Sequence, residues 1–446
     1  MSQFRQVAAF AAGLYRQRAD IAYAGYLRRD PMALLVLRPG RVDPYAIYDR
    51  LRRGGPLTPT RLGNWLSTSH PVCDSVLRDR RFGVRPEDDG QPAEPDALDL
   101  SFLGMNPPDH ARLRRLAMPA FGPKAVAGYA DRIERVAGDL LDAASVADRF
   151  DLVSGFAAPL PIAVITDLLG IPDSRSVDFA RHGMVLGSAL DGIRSLRHAG
   201  QLMASDAELN RLFEHLFELR RREPRDDIVS RLVAAEGDQI TPAEMLPMCS
   251  LLLVAGFETT VNLISNAVLA LLGHPGQWQA LCADPDGLAA RAVEEALRWD
   301  PPVQRTSRVA LEPVELAGKP VRKGQLVVTL LGAANRDPEV YDHPATFDIM
   351  REGGPGHLAF SSGIHYCIGQ SLARLEATIA LRMLAERMPG LARAGTVKRR
   401  NATTIRGPVY LPVTPGPALR PAAGHSPTGR RPGIPAGSRR AARTSR

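Results

Sequence analysis

The segment Phe360-Ser361-Ser362-Gly363-Ile364-His365-Tyr366-Cys367-Ile368-Gly369 decides how this chain is read. A lone cysteine among apolar neighbours is ordinarily inert packing. Here Gly363 and Gly369 flank it and permit a tight loop against a flat object. Helical pattern follows over residues 370–382, so Cys367 falls at or near a helix N-terminus. Amide groups and the helix dipole at such a place stabilise a thiolate. A soft, electron-rich thiolate suits iron.

Upstream, one stretch predicts an unusually long helix. Thr241-Pro242-Ala243-Glu244 is a capping box with proline at the first helical position. Helical pattern runs from there to Leu272, where Gly273-His274-Pro275 stops it. About 31 residues at 1.5 Å each give a rod of roughly 45 Å, enough to cross a whole domain. In its middle sit Ala255-Gly256-Phe257-Glu258-Thr259-Thr260. Glycine and paired threonines are poor helix formers. The glycine lets something approach the backbone closely. A threonine hydroxyl can bond back to a carbonyl and open the helix locally. A carboxylate in an apolar helix is costly unless it has a partner or a task.

The rest of the chain has a mainly helical period with small sheets at its margins. Residues 56–69 read as a short hairpin with Leu62-Gly63-Asn64 near its turn. Helices are expected over 110–121, 126–144, 159–169, 205–222 and 228–236. Strands are expected at 314–316, 325–330 and near 406–413. The fold class is therefore mainly α with small β-sheets (α+β). Its expected organisation is an N-terminal helical segment over 1–38, a single domain over 39–415 and a basic, disordered tail over 416–446.

Composition sets limits. The chain has 446 residues, 45% hydrophobic and 23% charged, which suffices for a large core and a sizeable cofactor. The formal net charge of +8 is no nucleic-acid signal, because residues 416–446 carry seven arginines and no acid or lysine; subtracting that +7 leaves +1 for residues 1–415. A tail of Pro, Gly, Ser and Arg cannot bury enough apolar surface to fold. The four cysteines, Cys73, Cys249, Cys282 and Cys367, form no close pair and suit a reducing cytosol, so a cytoplasmic location is expected. No signal peptide is expected. Residues 248–272 carry Glu258 and two asparagines and read as a buried helix, not a membrane span.

The cysteine segment resembles the haem-binding signature of the cytochrome P-450 family. Phe360, Gly363, His365, Cys367 and Gly369 occupy its five fixed positions. Glu295-Ala296-Leu297-Arg298 resembles the family's Glu-x-x-Arg, whose members share one helix face. Phe347-Asp348-Ile349-Met350-Arg351 resembles the segment supplying the third partner, Arg351. That trio is expected to brace the fold. Residues 255–260 resemble the family's oxygen-binding groove, with Phe257 where many relatives have a polar residue.

The resemblance implies a fold in which haem lies between the long central helix and the cysteine loop. It implies haem b held by the Cys367 thiolate, with Ala255 and Gly256 beside it and Gly256 making room for dioxygen. Glu258 and Thr259 would relay protons to the distal oxygen. His110 with Arg114, and Arg308 with His365, would hold the propionates. Asn335-Arg336-Asp337-Pro338 would be structural. The implied activity is monooxygenation of an apolar small molecule by dioxygen. Electrons would come from NAD(P)H through a separate ferredoxin and ferredoxin reductase docking near Cys367. A monomer is expected. Residues 82–105, 181–197 and 303–306, with Leu252 and Ala255, would shape the substrate pocket. The alternatives are a peroxygenase, a haem-thiolate isomerase or dehydratase, which need no Glu258–Thr259 relay, and a non-catalytic recruitment protein, which would be expected to lose these motifs.

Overall fold

A computed structural model describes residues 3–86 and 100–416. The expected tail beyond Gly416 and residues 87–99 of the expected pocket stretch lie outside the described residues.

The capping-box helix is the axis of the fold. It spans Pro242–Gly273, and the Glu244 carboxylate accepts hydrogen bonds from the Thr241 amide and hydroxyl, each at 2.9 Å. Pro247 lies inside it and removes one main-chain donor near the start, where the expected pattern had shown no interruption. The helix is almost wholly encased. Among the described residues it alone is long and apolar enough to cross a membrane, yet 83% of its apolar window is buried inside the protein.

Its neighbours are Pro159–Leu169, Asp173–Gly187, Leu196–Arg222, Pro285–Trp299 and Gln370–Arg387. Pro159–Leu169 matches its expected bounds because Pro starts it and Gly170, at φ 77°, ends it. Leu196–Arg222 begins nine residues before the expected 205, capped by the Ser195 hydroxyl, which accepts from the His198 amide at 3.1 Å. Two glycines bring Asp173–Gly187 very close to the axis. A Cβ at Gly183 would meet Phe257 Cε1 at 3.1 Å, and one at Gly187 would meet Glu258 Oε2 at 2.7 Å.

The main sheet lies at the margin. Its strand order is Thr58–Pro59, Trp65–Ser67, Leu326–Thr329, Thr306–Ala310, Phe82–Gly83. The first two form the expected hairpin, with Gly63 at φ 81° in its turn. Leu66, Val328 and Leu330 pack with Leu34, Leu35 and Leu51. The expected seam at 38/39 falls inside the helix Arg38–Val42. The N-terminal residues are therefore continuous with this sheet's packing. The strands Pro408–Tyr410 and Pro412–Thr414 lie where strands were expected, and Lys398–Arg399 pairs with the former.

Glu295 and Arg298 form a buried, bidentate ion pair, with Nε–Oε2 at 2.7 Å and Nη2–Oε1 at 2.8 Å. Arg298 also donates to the Asn335, Pro344 and Thr346 carbonyls. Arg351 joins at 3.3 Å from Glu295 Oε2 and donates to the Asp342 carbonyl at 2.6 Å. The trio thus ties residues 335–351 to the helix Pro285–Trp299 behind the cysteine loop. Asn335 and Asp337 extend the same tie: Asn335 Oδ1 accepts from the Leu358 amide at 2.7 Å, and Asp337 Oδ2 accepts from the His70 amide at 2.7 Å.

Candidate active site

The cysteine loop is held by main-chain contacts. Gly363 has φ 68°, and a Cβ there would run into the Leu77 carbonyl and lie 3.0 Å from Arg78 Cα. Only glycine lets the loop lean on the helix His70–Arg78. Gly369 differs from expectation. Its φ is −87°, and a Cβ would find Phe121 Cε1 at 3.7 Å, an ordinary contact. The tight turn rests on Gly363 instead. The Cys367 amide donates to the Phe360 carbonyl at 3.0 Å, closing the loop. The chain then enters the helix Gln370–Arg387. Burial pushes the Cys367 thiol up, while the Gly369 amide, Arg114 and Arg374 pull it back down. Phe360 lies under the Arg374 guanidinium, 4.6 Å from its ring centre.

Beside the loop the structure gathers four basic side chains from three distant segments. His110 and Arg114 come from the helix Asp109–Ala117, Arg308 from the strand Thr306–Ala310, and His365 from the loop. The His110 and His365 rings stand 4.1 Å apart. Arg114 donates to the Tyr366 carbonyl at 2.6 Å, and Arg308 to the Ser307 carbonyl at 2.9 Å. Neither arginine has a carboxylate partner among the described residues. Burial, then Arg308, His110 and Arg114, hold the His365 imidazole down at about 3; burial, Arg114 and Arg308 lower His110. Burial lowers Arg308 to about 10. Nε2 of His110 is buried with no partner in the protein. His110 and Arg308 are buried, and Arg114 and His365 half-buried, with no anion beside them among the described residues, which is costly as it stands. They fit a group carrying two carboxylates, and a haem meets that description while placing iron near the adjacent sulfur.

The central helix opens only where its sequence is odd. Ala255 is exposed and Gly256 and Thr259 are half-buried, whereas Val254, Phe257, Glu258 and Thr260 are buried. Thr259 Oγ1 donates back to the Ala255 carbonyl at 3.2 Å, and Thr260 Oγ1 to that of Gly256 at 3.4 Å. Two expectations shift. A Cβ at Gly256 would meet Ile165 Cδ1 at 2.5 Å, so the missing side chain admits the helix Pro159–Leu169. Glu258 is only 2% exposed and is turned from the open stripe. Its Oε1 lies 2.5 Å from Arg400 Nη1. The structure therefore puts Thr259 on the stripe and Glu258 behind it. Phe257 packs on Gly183, away from the opening.

Three functional candidates were not read from the sequence. Arg374 stacks on Phe360, pairs with Glu294 at 2.6 Å and lowers the neighbouring thiol. Its helical spacing from the cysteine was the available signal. Arg400 lies in a strand turn with no motif, and only its contact with Glu258 reveals it. Glu376, 1% exposed, is a carboxyl in an apolar helical stripe, the same signal that marked Glu258.

The comparisons with known proteins agree with this geometry. The cytochrome P450 family model matches residues 287–387, which include the Glu-x-x-Arg pair and the cysteine loop. The chain is 39% identical over 383 residues to the biotin biosynthesis cytochrome P450 of Bacillus subtilis (strain 168), covering 83% of this chain and 96% of that one. It is 40% identical to the cytochrome P450 monooxygenase PikC of Streptomyces venezuelae, over 78% and 85% of the two chains. Among solved structures, that of P450BioI in complex with hexadec-9Z-enoic acid ligated acyl carrier protein superposes with a TM-score of 0.78 at 38% identity, covering 83% of this chain and 97% of that one. CYP109E1 from Bacillus megaterium in complex with testosterone superposes at 0.77 with 32% identity, over 85% and 99%. The family holds its haem through a cysteine thiolate, and identity of this depth along most of both chains places the present one within it: the chain belongs to the cytochrome P450 family and is an oxidoreductase of the monooxygenase class.

Proposed function

We propose that the protein inserts one atom of dioxygen into an apolar small molecule, by hydroxylation or epoxidation, with the Cys367 thiolate as the residue that would hold haem b. The observation that carries this reading is the anion-free quartet His110, Arg114, Arg308 and His365 beside the cysteine loop. When bound, the haem supplies dioxygen binding and reductive cleavage of the O–O bond. Arg114 and Arg308 would hold the two propionates, and the imidazoles of His110 and His365 would donate alongside them. The Gly369 amide and Arg374 stabilise negative charge on Sγ. Thr259 Oγ1, on the open stripe, would pass a proton into the reaction site and would be resupplied from Glu258 once that carboxylate has left Arg400 and taken up a proton from solvent. Ala255, exposed on the stripe, forms part of the wall on which the substrate lies.

Electrons arrive from a separate ferredoxin and its NAD(P)H-dependent reductase. The face nearest Cys367 supports such docking: Ile364 is 42% and Tyr366 39% exposed, and Arg78, next to Gly363, is largely exposed. Apolar contacts ringed by arginine suit an acidic partner. Relatives bound to a long-chain acyl group and to testosterone fit an apolar substrate. Glu258 and Thr259 favour dioxygen chemistry over a peroxygenase, an isomerase or a dehydratase. The test is the absorption spectrum of the dithionite-reduced protein with carbon monoxide. The wild type should show the strongly red-shifted Soret band of thiolate ligation, and Cys367→Ala should lose it. A variant with an unchanged band would overturn the ligand assignment.

A further inference from the structure

A second cavity lies on the far side of Glu258. It is a solvent-open groove of about 610 Å³ lined by Arg38, Arg41, Val42, Val397, Arg399, Arg400 and Asn401, of which Arg38, Val42, Arg399 and Asn401 are exposed. Four of those seven side chains are arginines and none is acidic. Two are partly neutralised from behind: Arg399 lies 3.7 Å from Asp300, which Arg406 already holds at 3.0 Å, and Arg400 lies 2.5 Å from Glu258. Arg38 and Arg41 have no acidic partner among the described residues; Arg41 donates to Asn401 Oδ1 at 2.7 Å. Nε of Arg41 and Nε of Arg400 are buried with no partner in the protein. An orphaned buried donor is destabilising unless a ligand meets it. Two in one arginine-lined cavity describe a receptor for an oxyanion. Val42 and Val397 give the same cavity an apolar flank.

Arg400 connects this cavity to the reaction site. It forms an ion pair with the buried Glu258 carboxylate at 2.5 Å. A second anion beside Arg400 competes with Glu258 for that charge.

We propose that this cavity binds the carboxylate or phosphate group of an amphiphilic substrate, and that the bound oxyanion draws Arg400 away from Glu258. The substrate half rests on the monooxygenase reading above, while the anion site stands without it. Arg38 and Arg41 supply the uncompensated charge, and the side chain that leaves Glu258 joins them. Substrate arrival thereby frees the Glu258 carboxylate to take up a proton from solvent and pass it to Thr259. An empty cavity keeps it paired.

Calorimetric titration of the haem-loaded protein tests this, using inorganic phosphate and, separately, dodecanoate against dodecanol. Phosphate and dodecanoate should bind saturably, and R38Q/R41Q should weaken both by about tenfold or more. R41K, which keeps the charge, should retain most of the binding, and R50Q, outside the cavity, should retain all of it. An unchanged haem spectrum and melting temperature in R38Q/R41Q show that the fold is intact. By reciprocity, E258Q should tighten phosphate binding by roughly 3–10-fold, because Arg400 no longer has a competing anion. Absence of saturable phosphate binding, or binding indifferent to R38Q/R41Q, overturns the site. Phosphate binding without any preference for dodecanoate over dodecanol overturns the substrate assignment. Unchanged phosphate affinity in E258Q overturns the coupling. A normal carbon monoxide spectrum alongside any of these leaves the monooxygenase reading standing.

Discussion

Replacing Glu376 by glutamine should make the protein more stable at alkaline pH and leave it nearly unchanged in acid. Glu376 lies on the helix Gln370–Arg387, 1% exposed, bonded to Thr260 of the central helix and with Oε2 unpartnered in the protein. Burial pushes its carboxyl from 4.5 to about 8, against a smaller opposing pull from Thr260. Below pH 4.5 the folded and unfolded chains both hold the proton. Between about 4.5 and 8 only the folded chain does, so stability falls as pH rises through this window. Above about 8 the loss is complete. A displacement of 3.5 pH units at about 1.36 kcal/mol each sets a ceiling near 5 kcal/mol. Relaxation around the charge brings the expected figure to about 3 kcal/mol. Glutamine has the shape of the neutral acid and cannot ionise. Denaturant unfolding of the haem-loaded wild type and E376Q, at pH 5.5, 7 and 8.5, measures the difference directly. The curves should differ by only about 1.4 kcal/mol at pH 5.5, one unit into the window, and separate further by pH 8.5, with the variant more stable. Parallel curves across the range would refute the assignment of a neutral buried acid.

Thr259→Ala should raise the share of reducing equivalents recovered as hydrogen peroxide several-fold at unchanged reduction rate, because the hydroxyl on the open stripe is gone; peroxide assay against NADH consumption checks it. Glu295→Ala should be destabilising by about 3–5 kcal/mol, since Arg298 and Arg351 would be left buried without their anion, and thermal unfolding reads the loss. Arg308→Leu should speed transfer of haem to a scavenging globin by roughly tenfold, the loss of one charge-assisted contact of about 1.5–3 kcal/mol. Equal transfer rates would remove Arg308 from the cradle.

The parts of this molecule written in local chemistry could be read from the chain. The capping box placed the start of the central helix, and the Pro159 start and Gly170 stop placed another. The spacing from Phe360 to Gly369 placed the cysteine loop. Legibility failed wherever distant segments decide the outcome. Nothing near Gly256 indicates that Ile165 fills its space, and nothing near Glu258 announces Arg400, more than a hundred residues away. Gly183 and Gly187 looked like ordinary glycines until the helix bearing them was laid on Phe257 and Glu258. The contact of His110 with His365 was not expected at all: the resemblance set them at different propionates, and their segments lie far apart in the sequence. Strands as short as Lys398–Arg399 carry no periodicity at all.

The basic quartet has a consequence for biogenesis. Arg114 and Arg308 bring two positive charges to one corner of the molecule, on walls contributed by three remote stretches of chain. A dianion seated between them would neutralise both and tie those stretches to one another. Loading would therefore complete the folding of this corner of the molecule, and the unloaded form would be recognisable as the more cationic of the two on an ion-exchange column.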